Sequence, residues 1–565
     1  MDTKWKVLPI PDVEKIENIA CQCNVSRLLA VLLLVRGIDS DKANDFINND
    51  EQNLLDPFLF RDMKKAVSFI NSYVENGRRI TIYGDYDADG VTATALLVKA
   101  LKKIGAKVDY YIPQRDIEGY GVSKSSIDTL NKRGTELIIT VDCGITAVVE
   151  CLYAKTLGIE MIITDHHECS DIMPEAVAVI DAKSETETYP HSSLAGVGVA
   201  LKLAQALLAT SQSYLETAEE YSELVAIGSI ADIVPMLGEN RFLCQLGIKK
   251  LNDNIPLWLE KMLTLASSDF KIDTTKVGFV IAPRINASGR ITNASYAIEL
   301  LLENNYDKLN ELAQKLDDFN GERQRIEAQI FLEAEKLYLE NYIDNSVVVL
   351  FNDKWHHGVV GIVSSRLTKK YMKPFILISP GVDGNCKGSG RSIEGFSLYK
   401  ALENSKDAIL SFGGHELAAG VVISREKIDD FRKLINLYAD EYFKLNEIEN
   451  IICADCELKG RHLNIETIKE LSLLEPYGTQ NNKPLFFIRN MKILSVYCIG
   501  NNKQHLKFTF IKDGITIDGV AFNYEVGTLM PNSVVSVMCY LEINDYKNNY
   551  APQLRIIDIK GEIYG

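Results

Sequence analysis

Residues 78–98 read RRITIYGDYDADGVTATALLV, and the fold is decided by how this stretch is read. Arg78-Arg79-Ile80-Thr81-Ile82-Tyr83 is short and β-branched, which suits a strand, and Val91 to Val98 continues as an Ala- and Leu-rich helix. Between them Asp85, Asp87 and Asp89 stand at alternate positions before Gly90. Strand, tight acidic turn and helix in succession make the first unit of an α/β sheet. The carboxylates then lie at the carboxyl edge of a strand, where open α/β sheets keep their sites. Three anions this close repel one another unless cations lie between them. An EF-hand loop spaces its acids in the same way, but it is preceded by a helix and ends on a glutamate, where this chain has Leu96.

Outward from this stretch the pattern repeats. Lys107–Pro113 reads as a second strand leading into the glycine-rich loop 114–121. Leu137–Val141 ends at Asp142-Cys143-Gly144, Glu160–Thr164 at Asp165-His166-His167-Glu168, and Ala176–Ile180 at Asp181. One acid after a strand is an ordinary helix cap. Three in succession, one of them beside paired histidines, go beyond capping. Asp232 lies inside the apolar stretch 226–235, where a buried carboxylate needs a partner. Asp307 to about Tyr342 is charged and helical, a long connector between two halves.

A second α/β pattern begins at Ser346. It carries Trp355-His356-His357-Gly358, Gly388-Ser389-Gly390-Arg391-Ser392 and Gly413-Gly414-His415. Such glycines form backbone-lined pockets of the kind that hold phosphate. From about Ile451 six short strands recur, at 484–488, 491–497, 505–511, 515–522, 533–541 and 553–558, which suggests a small closed barrel. Most of its aromatics are expected in the barrel core. Residues 1 to about 75 read as helical and carry no chemistry.

Composition bounds the rest. At 565 residues the chain needs three or four domains. No apolar run is long enough for a membrane span and Met1–Trp5 begins no signal peptide, so a cytoplasmic protein without membrane attachment is expected. Eleven scattered cysteines read as reduced thiols, and the lone Cys453–Cys456 pair lacks the further ligands of a zinc site. A net charge of −16 argues weakly against electrostatic coating of nucleic acid and leaves room for a local basic groove.

Five of the eight histidines, His166, His167, His356, His357 and His415, fall in these segments. Asp85, Asp87, Asp89, Asp142, His166 and Asp232 supply enough oxygen and nitrogen for two adjacent divalent cations. Carboxylates with one or two imidazoles suit Mn²⁺, with Mg²⁺ as the alternative, and Cys143 is a poor ligand for so hard a site. His167, beside Asp165, is placed to protonate a leaving oxygen or contact a phosphate. Arg115, Arg284, Arg290 and Arg391 are candidate phosphate clamps. Asn286, His357, Ser389 and His415 join them as polar groups of the same glycine-rich segments. The chain has no GxxxxGK loop, so the residues favour phosphoester hydrolysis over chemistry driven by nucleoside triphosphates.

Asp85-Tyr86-Asp87-Ala88-Asp89-Gly90, Val141–Gly144, Asp165–His167 and Ala231-Asp232 resemble the four motifs of the DHH phosphoesterases. Ile112-Pro113 with Arg115 and Glu118–Gly121, PRINASGR (283–290), WHHGVVGIVSSR (355–366), GSGRS (388–392) and GGHELAAG (413–420) narrow the resemblance to the RecJ family. Glu475-Pro476-Tyr477-Gly478 and His505-Leu506-Lys507 match its OB domain, so Tyr477, His505 and Lys507 are expected at a DNA-binding surface.

The resemblance implies a single-strand-specific 5′→3′ DNA exonuclease of recombination and repair. It implies metal ligation by Asp87, Asp89, Asp142, His166 and Asp232, with Asp85 and His167 close by. Spacing leaves open which two of the three opening aspartates ligate. Arg115, Ser389 and Arg391 would grip the 5′ phosphate, with the two α/β lobes forming a narrow channel for the strand. The architecture implied is multidomain α/β: a helical extension (1–75), a parallel-sheet DHH domain (76–305), a connector helix (306–343), a smaller α/β DHHA1 domain (344–445) and an OB-fold β-barrel (452–565). Single-stranded DNA is the expected partner of a monomer, with a single-strand-binding protein and a helicase beside it in the cell. A small-substrate phosphodiesterase would need no barrel, and a non-catalytic scaffold would be expected to lose the metal-site acids. Asp181-Ala182 departs from the family's Asn-Pro, and no further domain is expected after the barrel.

Overall fold

The computed structural model describes residues 3–114, 118, 121–381, 384–446, 448–500, 502–524, 529–544 and 550–561. The chain divides into two compact units. One comprises Leu55–Val234 and Leu246–Ile448. The other gathers Met1–Leu54, Pro235–Gln245 and Glu449–Gly565. Residues 3–54 contain a short strand, β1 (Lys4–Val7), as well as the expected helices.

In the larger unit the first sheet is wholly parallel. Its strands are β2 (Arg79–Gly84), β3 (Lys107–Tyr111), β4 (Leu137–Val141), β5 (Glu160–Asp165) and β6 (Ala178–Asp181), in the order β3-β2-β4-β5-β6. β4 is buried at every residue, as its unbroken apolar sequence requires when helices cover both faces. Parallel pairing aligns the carboxyl ends, so the residues leaving β2, β4, β5 and β6 emerge along one edge. The helix Ala88–Lys103 packs against the helices Gly196–Leu208 and Tyr214–Ala231. These three apolar helices make a buried layer whose ends reach that edge.

The PRINASGR stretch is helical (Ala282–Ile291) with its proline in the first turn, where a missing N–H costs nothing. A π-turn, Val277–Ile281, precedes it. The expected connector is a helix of 36 residues, Tyr306–Asn341. Leu309, Leu312, Ala313, Leu316, Ile330, Ala334 and Tyr338 form its buried stripe, at the spacing of one helical face. It leads to a mixed sheet of β7 (Val348–Phe351), β8 (Phe375–Pro380), β9 (Cys386–Arg391), β10 (Ser411–Gly414) and β11 (Ala418–Ile423), in the order β10-β11-β9-β8-β7. The helix His357–Tyr371 crosses from β7 to β8 and packs on β8 and β9.

The smaller unit is built on a barrel. β12 (Ile451–Ala454) pairs with β1, and β13 (Cys456–Glu457) pairs with β14 (Phe486–Ile499). β14, β15 (His505–Lys512), β16 (Ile515–Ala521), β18 (Ala551–Gly561) and β17 (Val534–Asn544) follow in order, and β14–β17 pairing closes the ring. The two strands expected at 484–488 and 491–497 are one. Asn490, at φ 54, absorbs a register shift between Ile488 and Met491, so β14 bends without ending. Phe486, Phe508 and Phe510 are core residues, as expected for most of the barrel aromatics, and the N-terminal residues Ile19, Leu29, Leu32 and Leu33 share that core.

Arg241 fastens this unit. It is 1% exposed, donates to the carbonyls of Phe46, Leu473 and Glu475, and lies 4.0 Å over the Phe46 ring. Burial draws its pKa down to about 10, so it stays charged at neutral pH. Hydrogen bonds to a charged group each contribute about 1.5–3 kcal/mol. Arg241→Leu is therefore expected to destabilise this unit by on the order of 3 kcal/mol or more. Urea unfolding followed by Trp5 fluorescence checks this, and an unchanged midpoint would remove Arg241 from the role.

Candidate metal centre

The centre is assembled where β2, β4 and β5 end. Asp87 caps the Ala88–Lys103 helix, its Oδ1 accepting from the N–H groups of Asp89 (2.9 Å) and Gly90 (3.1 Å). The Ala88 N–H is taken by Asn286 Oδ1 at 2.7 Å. Asp89 points the other way, into the start of the Gly196–Leu208 helix, with Oδ2 2.6 Å from Gly196 N and Oδ1 2.9 Å from Val197 N. That helix begins after Ala195 without a side-chain cap, so its first donors are available to a carboxylate from elsewhere. Asp142 leaves β4 in the left-handed conformation, φ 60, which turns its carboxylate toward the same place.

His166 joins them from β5. Its Nε2 is 3.0 Å from Asp142 Oδ1 and 3.8 Å from Asp89 Oδ2, and its Nδ1 is 3.7 Å from Asp232 Oδ2. Three groups have ligand atoms within 4.8 Å of one another: Asp85, Asp87 and Asp142; Asp89, His166 and Asp232; and Asp142, His166 and His167. All six residues grouped by the sequence therefore come together, and Asp142 and His166 each belong to two of the groups. Cys143 turns away, its thiol directed at the Tyr83 carbonyl 3.7 Å distant.

The electrostatics are those of a site short of positive charge. Burial, then the neighbouring Asp232, raises Asp89 from the ordinary carboxylate value to about 7. Burial and Asp87 do the same to Asp232, also to about 7. Burial and the surrounding acids push Asp142 well up. His166 Nε2 is buried and, despite its closeness to Asp142, makes no hydrogen bond. Hard carboxylate oxygens with an imidazole nitrogen free of hydrogen bonds fit a divalent cation of the Mn²⁺ or Mg²⁺ kind.

Asp165 does a different job. Its Oδ2 accepts from Ile145 N and its Oδ1 from His166 N, both at 2.8 Å, while Oδ1 also lies 2.7 Å from His167 Nδ1. Burial works against charge on His167, but the Asp165 bond wins and holds its pKa at about 9. Burial likewise opposes charge on Asp165, and the His167 and backbone bonds outweigh it, leaving Asp165 below its usual value. The result is an oriented imidazolium, 43% exposed at the side chain, at the mouth of a buried anionic cluster. Asp181 is fully buried beside this pair, accepts from Lys183 N, and is raised to about 7 by burial.

The candidate phosphate groups are distributed. Arg391 Nη1 donates to Ser389 Oγ (3.3 Å) and to the Gly390 carbonyl (2.8 Å), so this pair is adjacent on β9. Arg290 Nη1 donates to the Gly358 carbonyl at 3.0 Å, joining the PRINASGR helix to the start of the His357 helix. Arg284 is ion-paired with Asp317 of the connector at 2.9 Å. His415 is exposed between β10 and β11. Arg115 lies outside the described residues. On the barrel, Lys507 pairs with Asp518 at 3.1 Å, His505 Nδ1 accepts from Asn523 N, and the Tyr477 hydroxyl donates to the Leu471 carbonyl. Tyr497 and Phe522, 49% and 56% exposed, offer open aromatic surface there.

Sequence reading missed two glycines that make room for the carboxylates. A Cβ on Gly196 would meet Asp142 Cβ at 2.6 Å, and one on Gly228 would meet Asp89 Oδ1 at 2.8 Å. Their signal was a helix starting on glycine without a polar cap, and a glycine one turn before Asp232. Gly196→Ala is expected to weaken Mn²⁺ binding by about 10–100-fold while the protein stays folded, as loss of a supporting contact does elsewhere. Isothermal titration checks this, and wild-type affinity would show that the close approach is not needed.

Comparison with known proteins identifies the domains that carry these residues. Residues 79–229 match the DHH family N-terminal domain, 344–441 the DHHA1 domain and 454–558 the RecJ OB domain. The single-stranded-DNA-specific exonuclease RecJ of Bacillus subtilis is 38% identical over 98% of this chain and 70% of its own length. That of Escherichia coli is 33% identical over 88% and 90%. The crystal structure of Thermus thermophilus RecJ with Mn²⁺ superposes with a TM-score of 0.85 at 27% identity, covering 99% of this chain and 80% of that one. Domain order and these likenesses agree, and the chain belongs to the RecJ family of DHH proteins.

Proposed function

We propose that this chain is a metal-dependent nuclease that hydrolyses single-stranded DNA from the 5′ end, with two divalent cations, Mn²⁺ favoured over Mg²⁺, held by Asp85, Asp87, Asp89, Asp142, His166 and Asp232. The observation that carries the reading is one polypeptide bearing both a buried carboxylate–imidazole cluster and an OB barrel. A dinucleotide or pyrophosphate hydrolase would gain nothing from the barrel, whose use is to bind strands by stacking and charge.

When bound, the cations acidify the attacking water and withdraw charge from the scissile phosphate. The chain's own residues do the rest. Asp142 and His166, each shared between two of the candidate groups, tie the two halves of the cluster together. His167, kept protonated by Asp165, donates its proton or a hydrogen bond to the phosphoryl or leaving oxygen. Ser389 and Arg391, with Arg115, bind the terminal phosphate, which sets the 5′ polarity. Arg284, Asn286 and Arg290 hold the lobes and the first turn of the Ala88 helix around the strand path, with His357 and His415 at its edge. Tyr477, His505 and Lys507 mark the barrel's contribution.

No single helix among the described residues is long and apolar enough to cross a membrane. The reading extends to a cytoplasmic monomer acting in recombination and repair, supplied with unwound strands by a helicase and working beside a single-strand-binding protein.

Three outcomes test this reading. Asp142→Asn is expected to lower kcat on a 5′-labelled oligonucleotide by about 10²–10³ or more while single-strand binding persists. Substantial turnover by this variant in Mn²⁺ would sink the assignment of Asp142. Arg391→Ala is expected to remove a charge-assisted contact of about 1.5–3 kcal/mol, narrowing the preference for 5′-phosphate over 5′-hydroxyl ends by roughly 10- to 150-fold. An unchanged preference on matched oligonucleotides would place end recognition elsewhere.

The third outcome concerns pH. Asp89 and Asp232 have folded pKa values raised from 3.8 to about 7, so the metal-free fold binds protons there that the unfolded chain releases. Their contribution to stability is fully present below 3.8 and is lost as pH rises through about 7. Cations compete with those protons, so the rise in Tm on adding Mn²⁺ should grow across this window and flatten in Asp142→Asn. Thermal unfolding with and without Mn²⁺ measures it, and a shift independent of pH would contradict the ligand set.

A further inference from the structure

The helix Tyr214–Ala231 ends at the metal centre in a Schellman turn. Ile233 N–H donates to the Ile230 carbonyl at 3.3 Å and Val234 N–H to the Ser229 carbonyl at 3.4 Å. This turn needs a left-handed residue at position 233, and Ile233 has φ 62. Glycine ordinarily stands there, because a Cβ is crowded in that conformation and a branched one most of all. Among the described non-glycine residues at positive φ most are Asn or Asp, and Ile233 is the one with a β-branched side chain.

Burial in the protein does not offset the strain. Ile233 is 70% exposed, whereas Val234 beside it is 7% exposed. Its position is specific: it directly follows Asp232, whose side chain is 29% exposed where those of Asp89 and Asp142 are 1% and 3% exposed. Asp232 thus marks the open side of the cluster, and Ile233 borders that opening. A strained apolar side chain facing solvent at the mouth of a catalytic centre has a use only when something covers it.

We propose that Ile233 is a substrate-contact residue, packing its side chain against the sugar and base of the nucleotide whose phosphodiester lies at the metal centre. The proposal rests on the nuclease reading of that centre. The apolar contact holds the nucleotide's carbon-rich part while the ligands hold its phosphate. It also explains why the turn carries isoleucine in place of the glycine its backbone prefers.

Ile233→Gly and Ile233→Asn both suit the left-handed backbone and remove the apolar group. Three measurements are made on each full-length variant: Tm, the Mn²⁺ concentration for half-maximal thermal shift, and kcat/KM on a 5′-phosphorylated single-stranded oligonucleotide. The expected result is a Tm at or above wild type, an unchanged Mn²⁺ midpoint, and a loss of kcat/KM on the order of tenfold, mostly in KM. Ile233→Val should keep most of the activity. Wild-type kcat/KM in the glycine variant overturns the proposal. A lowered Tm overturns it in favour of a structural role, and a weakened Mn²⁺ midpoint in favour of placement of Asp232. A wild-type protein that leaves the oligonucleotide intact overturns the nuclease reading itself, and this proposal with it.

Discussion

The constraint on which this structure turns is the mutual repulsion of carboxylates buried at one edge of a parallel sheet. Asp85, Asp89 and Asp142 are each 3% exposed or less, with Asp87 and Asp232 beside them. Left alone, such a cluster would take up protons or open. The protein meets part of the charge with backbone N–H groups. The first turn of one helix is capped by Asp87, and the first donors of another are given to both oxygens of Asp89. The remaining deficit is what suits the place to a cation.

This constraint reaches into the helical layer. Helices that end at carboxylates must come close to them, and glycine at 196 and 228 is what permits the approach. It also explains the division of labour within Asp165-His166-His167. His166 faces the acids, while Asp165 takes three hydrogen bonds from the backbone N–H groups of Ile145, His166 and His167 and pairs with the His167 ring. One acid of the motif thus serves to hold a cationic imidazole rather than a metal.

Of the four candidate clamps, the three among the described residues meet different fates, and the reason is partnership. Arg284 spends its charge on Asp317, Arg290 reaches the Gly358 carbonyl, and Arg391 stays beside Ser389 on β9. A sequence shows that an arginine is present in a motif but not which carboxylate or carbonyl lies opposite. Asp317 is 33 residues from Arg284 and Gly358 is 68 from Arg290. The residues before 55 show the same limit. Their apolar spacing predicts helices, but nothing local shows that Ile19 and Leu29 would share a core with Phe508, or that β1 would pair with β12.

The sequence by itself determined the local elements and the chemistry they carry. Alternation of strand and helix, unbroken apolar strands ending in acids, and short strands near the end of the chain are signals of period and composition, set by neighbours along the backbone. They suffice for the parallel sheet, the connector helix, the barrel and the grouping of six candidate ligands. Tertiary structure alone decided how the charges are held: which N–H groups face Asp89, which acids gather around His166, and that Ile233 stands exposed in a glycine's conformation. Those are contacts between segments distant along the chain, or a balance of strain against exposure. Both depend on where helices end in space, and no spacing along the chain encodes that.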